Sequence, residues 1–211
     1  MDGWGLVVET ASPSLQLGLL KDKTPLVGFR WDGAYQQGEK LIVLTQQLLR
    51  EAHIHWSDIQ YVIYHRGPGS HTGLRIGLAA VKAWSLSLGW KLYCVPLMHA
   101  LHEWARQSMP DYEGKVFTFW ESKRALWYGQ LWEKGTPCTD PLLLPSPTWG
   151  ERAKDALWVG NHPEARFYIQ EVSWRLLAKA AQSITPRTTP QEIIEVVPLY
   201  FREFIPTQRK T

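Results

Sequence analysis

The hydrophobic positions in the first half of the chain alternate between the periods of strands and helices. Three short apolar runs predict consecutive strands: Gly5 to Glu9, Leu15 to Leu20 and Leu26 to Trp31. From Gly38 to about His53 the spacing is helical. Strand and helix then alternate twice more: Tyr61 to Tyr64, Gly73 to Leu88, Lys91 to Val95 and Leu97 to Ser108. This order predicts an α/β unit in which a mixed five-stranded sheet carries helices.

The pattern breaks between Met109 and Gly114, and a new series starts at Lys115. It predicts a hairpin, a Pro-rich loop, a further strand and a closing helix: Val116 to Trp120, Leu126 to Glu133, Gly135 to Pro147, Ala156 to Val159 and Glu164 to about Gln182. We therefore expect one lobe over residues 1–109 and a smaller second lobe with a C-terminal tail over residues 110–211.

Composition narrows the classes of function. The chain has 211 residues, 45% of them hydrophobic, and a net charge of +3, which is too mild for a protein that binds nucleic acid by itself. The two cysteines fit a reducing cytoplasm, and the first residues show no basic leader of a secretory signal. No apolar run has the roughly 18 residues of a membrane helix. We expect a cytoplasmic protein without membrane contact.

The segment Arg66 to Gly77 joins an apolar strand to a long helix through a glycine-rich turn. Amides at such a turn can bind phosphate, and Ser70 or Thr72 can cap the helix. The glycine spacing matches neither a Walker A loop nor a dinucleotide-binding fingerprint. The alternative is steric, because glycines recur every fourth residue and bare one face of the helix for a close neighbour: Gly69, Gly73 and Gly77, continued by Ala80 and Trp84. Both hypotheses stay open.

Two further groups invite a chemical interpretation. Glu9 ends the first strand, where an actin-like ATPase places a carboxylate, yet a structural role in the following turn is favoured because a second phosphate loop is not evident. His99, His102 and Glu103 share a predicted helix, but the histidines are three residues apart, whereas the metal-binding motifs H-E-x-x-H and H-x-x-E-H separate theirs by four. We predict a solvated helix face there and no metal site.

The glycine turn and several other segments resemble one family, TsaB (YeaZ), over nearly the whole chain. The family reads Gly-Arg-Gly-Pro-Gly-Ser-Phe-Thr-Gly-Leu-Arg-Ile-Gly where this chain has His65 at the first position and His71 for Phe. Family motifs Asp-Thr-Ser, His-Ser-Glu and Asp-Ala-Arg-Arg correspond to Glu9-Thr10-Ala11, Gln37-Gly38-Glu39 and Glu121-Ser122-Lys123-Arg124. Gly160-Asn161 and Pro198-Leu199-Tyr200-Phe201-Arg202 also fit. The changes at Glu9, His71 and Glu121 mark a divergent member.

The resemblance implies a two-lobed fold of the actin, Hsp70 and sugar-kinase (ASKHA) superfamily with a smaller, degenerate second lobe. It also implies a non-catalytic scaffold that activates TsaD, the transferase that makes threonylcarbamoyladenosine at position 37 of tRNA, and that recruits the ATPase TsaE. Contact with tRNA comes only through the complex. The chain needs no cofactor of its own; ATP or ADP at the interface and a homodimer of the isolated chain are left open. The rivals are a stand-alone ATPase or kinase and a metallopeptidase-like protein.

The resemblance places the TsaD interface on the two helices of the first lobe. The expected interface residues are Glu39, Leu41, Leu44, Leu48, Gly69, Thr72, Gly73, Ile76, Gly77, Ala80 and Trp84. Candidate phosphate or nucleotide contacts are Glu9, Thr10, Arg66, Gly67, Gly69, Ser70 and Arg75. No catalytic residue is expected.

Overall fold

The computed structural model describes residues 1–33, 36–122 and 125–200. Its first half follows the predicted order of strands and helices closely. The elements are β1 Trp4–Glu9, β2 Leu15–Lys21, β3 Thr24–Trp31, α1 Gln37–Glu51, β4 Ile59–Gly67, α2 His71–Leu88, β5 Lys91–Pro96 and α3 Leu97–Ser108. The strands form one sheet in the order β3-β2-β1-β4-β5, with β1, β4 and β5 parallel and β1, β2 and β3 antiparallel. The mixed five-stranded sheet predicted from the sequence is confirmed.

This first sheet is buried on both faces, as its nearly continuous apolar strands require. Leu6 and Val8 of β1 point into a core with α1 and α2, whereas Val7 between them points into a second core with α3. The period of two along the strand thus divides one run of residues between two cores. The carboxyl ends of β1 and β4 are held between these helical layers.

The second half forms another sheet that α3 and one further helix cover. Its elements are β6 Val116–Glu121, β7 Leu126–Glu133, β8 Thr136–Pro137, β9 Leu142–Pro145, α4 Ser146–Arg152, β10 Leu157–Gly160 and β11 Phe167–Tyr168. The strand order is β11-β10-β6-β7-β8, and β9 also pairs with β7. Trp149 of α4 packs on Phe117, and Val116 faces the core of α3. The predicted hairpin of β6 and β7 is confirmed.

After the second sheet the chain returns to the first. Helix α5, Trp174–Ala180, packs on α3 and on the first sheet, and α6, Pro190–Ile194, packs on α2. The indole of Trp174 lies over Gly18 of β2 and Gly28 of β3, where a Cβ would collide with its ring. The expectation of a helix from Glu164 that closes the second lobe is therefore wrong: it starts ten residues later and covers the first sheet.

The tail is tied to the first lobe by backbone and side-chain bonds. Leu92 and Arg187 exchange backbone hydrogen bonds, and Thr189 caps α6 through a reciprocal pair with Glu192. Lys82 of α2 donates to the Ile194 carbonyl at 2.6 Å, which satisfies the end of α6. Among the described helices, none has the length and apolarity needed to cross a bilayer.

Replacing Trp174 tests whether α5 stabilises the first sheet. Trp174 is only 7% exposed, so we expect Trp174→Ala to lower the free energy of unfolding, measured by urea denaturation. The expected loss is about 3 to 5 kcal/mol, because a large buried side chain leaves a cavity over two glycines. The control Tyr168→Ala removes an aromatic ring that is 56% exposed and should change little. Equal losses in both variants would contradict this placement of α5.

Candidate functional site

The glycine turn connects the carboxyl end of β4 to the first turn of α2. The Gly67-Pro68 peptide bond is cis, and Gly67 has φ +110°, a conformation that side chains rarely allow. Ser70 is the N-cap, since its hydroxyl accepts a hydrogen bond from the Gly73 amide at 3.2 Å. Of the two predicted caps, Ser70 and Thr72, Ser70 is the one that caps α2, and it fixes the direction in which α2 leaves the sheet.

The glycine stripe of α2 lies against the end of β1. The Thr10 hydroxyl donates to the Gly73 carbonyl at 2.7 Å, and the Ser70 amide donates to the Ala11 carbonyl at 2.8 Å. A Cβ at Gly73 would collide with the Thr10 carbonyl, and one at Gly77 with the Thr10 hydroxyl. The predicted close approach of a neighbouring element is thus correct, and the neighbour is this chain's own β1.

A buried carboxylate and imidazole lie directly under this contact. Glu9 and His65 have Oε2 and Nδ1 3.1 Å apart, and both side chains are almost fully buried. Glu9 Oε1 accepts from the amides of Ala11 at 2.6 Å and Ser12 at 3.0 Å, while Oε2 accepts from the Ser12 hydroxyl at 3.0 Å. Among the described residues, the Glu9 carboxylate thus bonds only to its own β1–β2 turn and to His65, as the structural interpretation of Glu9 predicts.

Electrostatics favour the charged form of this carboxylate. Burial raises the pKa of Glu9, but the charge of His65, its hydrogen bond and the bonds from Ser12 together outweigh that effect. The net pKa lies below the ordinary value of 4.5. Because four donors surround the two carboxylate oxygens, the charge is compensated without solvent. His65 Nε2 is buried and has no hydrogen-bond partner among the described residues.

Two of the departures from the family pattern contact each other. Glu9 stands where that pattern has Asp, and His65 stands where it has Gly, a residue without a side chain. The imidazole fills space that glycine would leave and gives the longer carboxylate a partner. His71, a third departure, stacks on Tyr200 with ring centroids 4.4 Å apart. The changes at Glu9 and His65 thus form one matched pair.

The candidate phosphate contacts do not form an open cradle. Glu9, Thr10 and Gly67 are buried within the chain, whereas a nucleotide contact needs an accessible group. A Cβ at Gly69 would lie 2.6 Å from the Ala11 Cβ, so that glycine also serves a contact inside the chain. Arg66 donates through Nε to the Val197 carbonyl at 2.9 Å. Only Gly69, Ser70 and Arg75 of the seven candidates are exposed.

The expected interface residues divide into a buried and an accessible set. Leu41, Leu44, Leu48, Gly73 and Gly77 belong to this chain's own interior, so the expectation that they form a bare outer surface is wrong. The physical reason is that the end of β1 occupies the glycine side of α2, and the leucine side of α1 covers the sheet. The accessible set comprises Glu39, Gly69 and Thr72, which are exposed, and Ile76, Ala80 and Trp84, which are half-buried.

The structure adds apolar residues on the outer side of both helices that the sequence analysis missed. Ile42 and Val43 of α1 are 52% and 57% exposed, and Leu86 of α2 is 44% exposed. Gly38 lies next to Ile76, since a Cβ there would be 3.4 Å from its Cδ1. We call the following set the α1–α2 outer face: Ile42, Val43, Ile76, Ala79, Ala80, Ala83 and Leu86. The sequence signal that could have revealed this face is the apolar pair Ile42 and Val43, which lies outside the row of buried leucines on α1.

The prediction of a solvated helix face around His99 and His102 of α3 is wrong. His102 and Glu103 are buried, with His102 stacked on Trp132 of β7 at 4.3 Å between ring centroids. His99 Nε2 lies 2.9 Å from the Ser183 hydroxyl. The physical reason is that α3 is covered by both β7 and the chain that returns after α5. Within the described ranges, no three His, Cys, Asp or Glu side chains come together as a metal site.

Comparison with known proteins places these features in context. Residues 34–114 match the family model of TsaD, tRNA N6-adenosine threonylcarbamoyltransferase. The tRNA threonylcarbamoyladenosine biosynthesis protein TsaB of Buchnera aphidicola subsp. Schizaphis graminum (strain Sg) is 24% identical over 135 residues, which are 63% of this chain and 54% of that protein. TsaB of Bacillus subtilis (strain 168) is 27% identical over 85 residues, 39% of this chain and 37% of that protein. The matches thus span about half or less of these relatives.

Two solved structures from Pseudomonas aeruginosa share the fold. YeaZ has a TM-score of 0.68 at 19% identity, with 95% of this chain and 100% of that chain covered. A protein described as uncharacterized, with similarity to peptidase YEAZ, has a TM-score of 0.70 at 20% identity, with 96% and 100% covered. The predicted α/β fold and the resemblance to the TsaB (YeaZ) family are confirmed.

Alanine at the buried glycines tests the contact between α2 and β1. We expect Gly73→Ala and Gly77→Ala each to lower the free energy of unfolding by about 1 to 3 kcal/mol, because the new methyl group overlaps Thr10. Thermal and urea denaturation measure the change. Gly150→Ala in α4 is the matched control, since a Cβ there meets nothing within 4 Å. The control should be neutral or stabilising by up to about 1 kcal/mol. Unchanged stability of both α2 variants would contradict the contact.

The pH dependence of stability tests the pair of Glu9 and His65. A lowered carboxylate pKa contributes stability that is fully present above the ordinary value of 4.5 and is lost as the pH falls through the folded value. We therefore expect Glu9→Gln to lower the free energy of unfolding at pH 7 by about 2 kcal/mol, with the difference shrinking below pH 4.5. Glu39→Gln, at an exposed site, serves as control. A difference that is constant from pH 7 to pH 3 would show that the carboxylate charge is unimportant.

Proposed function

Because the chain resembles the TsaB (YeaZ) family, we propose that it is a non-catalytic subunit in the synthesis of threonylcarbamoyladenosine at position 37 of tRNA. In this proposal it binds a TsaD-type threonylcarbamoyl transferase and keeps that enzyme active in the cytoplasm. A TsaE-type ATPase joins the complex, and tRNA contacts this chain only through it. The support from comparison is the similarity to two proteins named for this pathway and to the structure of YeaZ.

The α1–α2 outer face is the observation that carries the proposal. The inner sides of both helices are used within the chain, whereas Ile42, Val43 and Leu86 remain about half exposed. A contiguous exposed apolar surface on a folded domain is typical of an interaction site. The face lies within residues 34–114, the part of the chain that matches the TsaD family model.

The shape of this face favours a partner with a similar pair of helices. Small residues on α2, Ala79, Ala80 and Ala83, let a neighbouring helix approach closely, and Ile42 and Val43 of α1 add exposed apolar side chains. Two such pairs related by an approximate twofold axis form a four-helix bundle. A TsaD-type subunit that shares this fold can supply the second pair, and so can a second copy of this chain in its absence.

The buried contacts of Glu9 and of the glycine turn favour a scaffold over an enzyme. Glu9, the carboxylate in the position expected of an actin-like ATPase, accepts from the amides of its own turn and pairs with His65. Gly69 packs against Ala11 and Gly73 against Thr10, so these glycines serve contacts within the chain. We therefore assign no nucleotide to this chain itself. A nucleotide at the surface shared with the partner remains a prediction, and Ser70 and Arg75 are the candidate contacts whose polar side chains are exposed.

Charged substitutions on the outer face test the proposal. We expect Ile42→Glu and Ala79→Glu each to weaken binding of the TsaD-type subunit from the same genome by at least about tenfold, because a carboxylate would be buried at the interface. Calorimetric titration measures the affinity, and mass spectrometry measures threonylcarbamoyladenosine in tRNA treated with the reconstituted complex. The control Leu26→Glu places the same charge at a residue of β3 that is 50% exposed and outside the face.

The outcomes separate the surface from the function. Normal binding by both variants would show that the face is wrong, while wild-type protein that neither binds the transferase nor raises its activity would show that the function is wrong. Sustained ATP hydrolysis by the purified wild-type chain alone would favour the stand-alone enzyme. We expect all three variants to fold normally, because Leu26, Ile42 and Ala79 are exposed.

A further inference from the structure

The end of α6 and the segment after it expose an apolar side chain at every third position. Ile194, Val197 and Tyr200 are 56%, 58% and 39% exposed, whereas Val196 and Pro198 between them are buried. We call Ile194, Val197 and Tyr200 the tail strip. Large apolar side chains are often exposed singly, but a row of them on an ordered segment is typical of an interaction surface.

The tail strip is ordered because side chains of the first lobe bind its backbone. Lys82 of α2 donates to the Ile194 carbonyl at 2.6 Å, and Arg66 of β4 donates through Nε to the Val197 carbonyl at 2.9 Å. The carbonyls of these two residues are thus used within the chain, while their side chains stay exposed. A surface that is already fixed in this way loses little conformational entropy when a partner binds it.

The tail strip adjoins the α1–α2 outer face along one side of α2. Lys82 follows Ala79 by three residues and precedes Leu86 by four, and residues at these spacings share a side of a helix. The end of α6, which Lys82 binds, therefore lies beside two members of the outer face. At the other end, Tyr200 stacks on His71 in the first turn of α2. The tail strip thus follows α2 from its second half back to its start.

The outer face alone is small for a stable complex. A specific interface buries about 800 Å² on each partner, to which about 20 to 30 residues contribute. The outer face has seven residues, and three of them are alanines, which offer little apolar surface. A partner that binds there stably therefore has to cover neighbouring residues as well. The tail strip supplies large exposed apolar side chains next to it on the side of α6.

We infer that the TsaD-type subunit covers the tail strip together with the α1–α2 outer face. This inference rests on the proposed function and deepens it, because it assigns a second contact region to the same partner. Apolar side chains of that subunit pack on Ile194 and Val197, and the aromatic ring of Tyr200 extends the contact toward the start of α2. The partner surface is thus one continuous area across α1, α2 and the tail.

Charged substitutions in the tail strip test the inference on the full chain. We expect Ile194→Glu and Val197→Glu each to weaken binding of the TsaD-type subunit by at least about tenfold, because a carboxylate would be buried against apolar side chains. Calorimetric titration measures the affinity. The matched control Leu26→Glu places the same charge at a residue that is 50% exposed on β3, away from α2, and should bind normally.

Hydrogen exchange of the wild-type chain tests the same contact without a substitution. We expect the TsaD-type subunit to slow exchange at residues 190–200 as well as in α1 and α2, and to leave β3 unchanged. Mass spectrometry of peptic fragments measures the exchange. Protection of α1 and α2 without protection of residues 190–200 would overturn the inference.

The outcomes separate this inference from the proposed function. Normal binding by both tail variants, with weak binding by Ile42→Glu and Ala79→Glu, would overturn the inference and leave the proposed function intact. Failure of the wild-type chain to bind the transferase would overturn both. Sedimentation equilibrium covers the remaining occupant: if Ile194→Glu abolishes a homodimer but binds the transferase normally, the tail strip belongs to a second copy of this chain and the inference is wrong.

Discussion

The contact between the end of β1 and the first turns of α2 is the constraint on which the rest of the structure depends. Thr10 bonds to the Gly73 carbonyl, Ala11 accepts from the Ser70 amide, and no side chain fits between these backbones. A helix that approaches a strand this closely needs glycine at every position where it faces the strand. The position of α2 on the sheet, and with it the glycine turn, follows from that requirement.

Because the inner side of α2 is used in this way, only its outer side is free for a partner. The same holds for α1, whose leucines lie in the core while Ile42 and Val43 remain exposed. In the proposed function, the fold thus separates two roles that a single helix can carry, close packing on one side and association on the other. A functional surface built on a rigid, glycine-packed helix changes little when it binds, which favours recognition of one partner over many.

The order and the approximate bounds of the strands of the first sheet could be predicted because apolar runs and turn residues encode them locally. The cap of α2 at Ser70 followed from the same local signals. Which neighbour the glycine stripe of α2 faces could not be predicted, since a bare helix face is equally suited to a strand of the same chain and to another protein. Helix α5 was misplaced for a related reason: the contact of Trp174 with Gly18 and Gly28 joins residues about 150 positions apart, and no periodicity reports it.

The pair of Glu9 and His65 shows why single positions are hard to interpret in isolation. Taken alone, each departs from the family pattern and puts a ligand contact in doubt, whereas together they form a compensated buried pair. This pair need not make the protein more stable than the Asp and Gly of the family pattern would, because desolvation of the two groups offsets their attraction. Loss of His65 alone would take one of four donors from the buried Glu9 carboxylate, and loss of Glu9 alone would leave the His65 imidazole without its hydrogen-bond partner. Two changes that contact each other can therefore preserve the position of α2 and its outer face while the residues beneath them change.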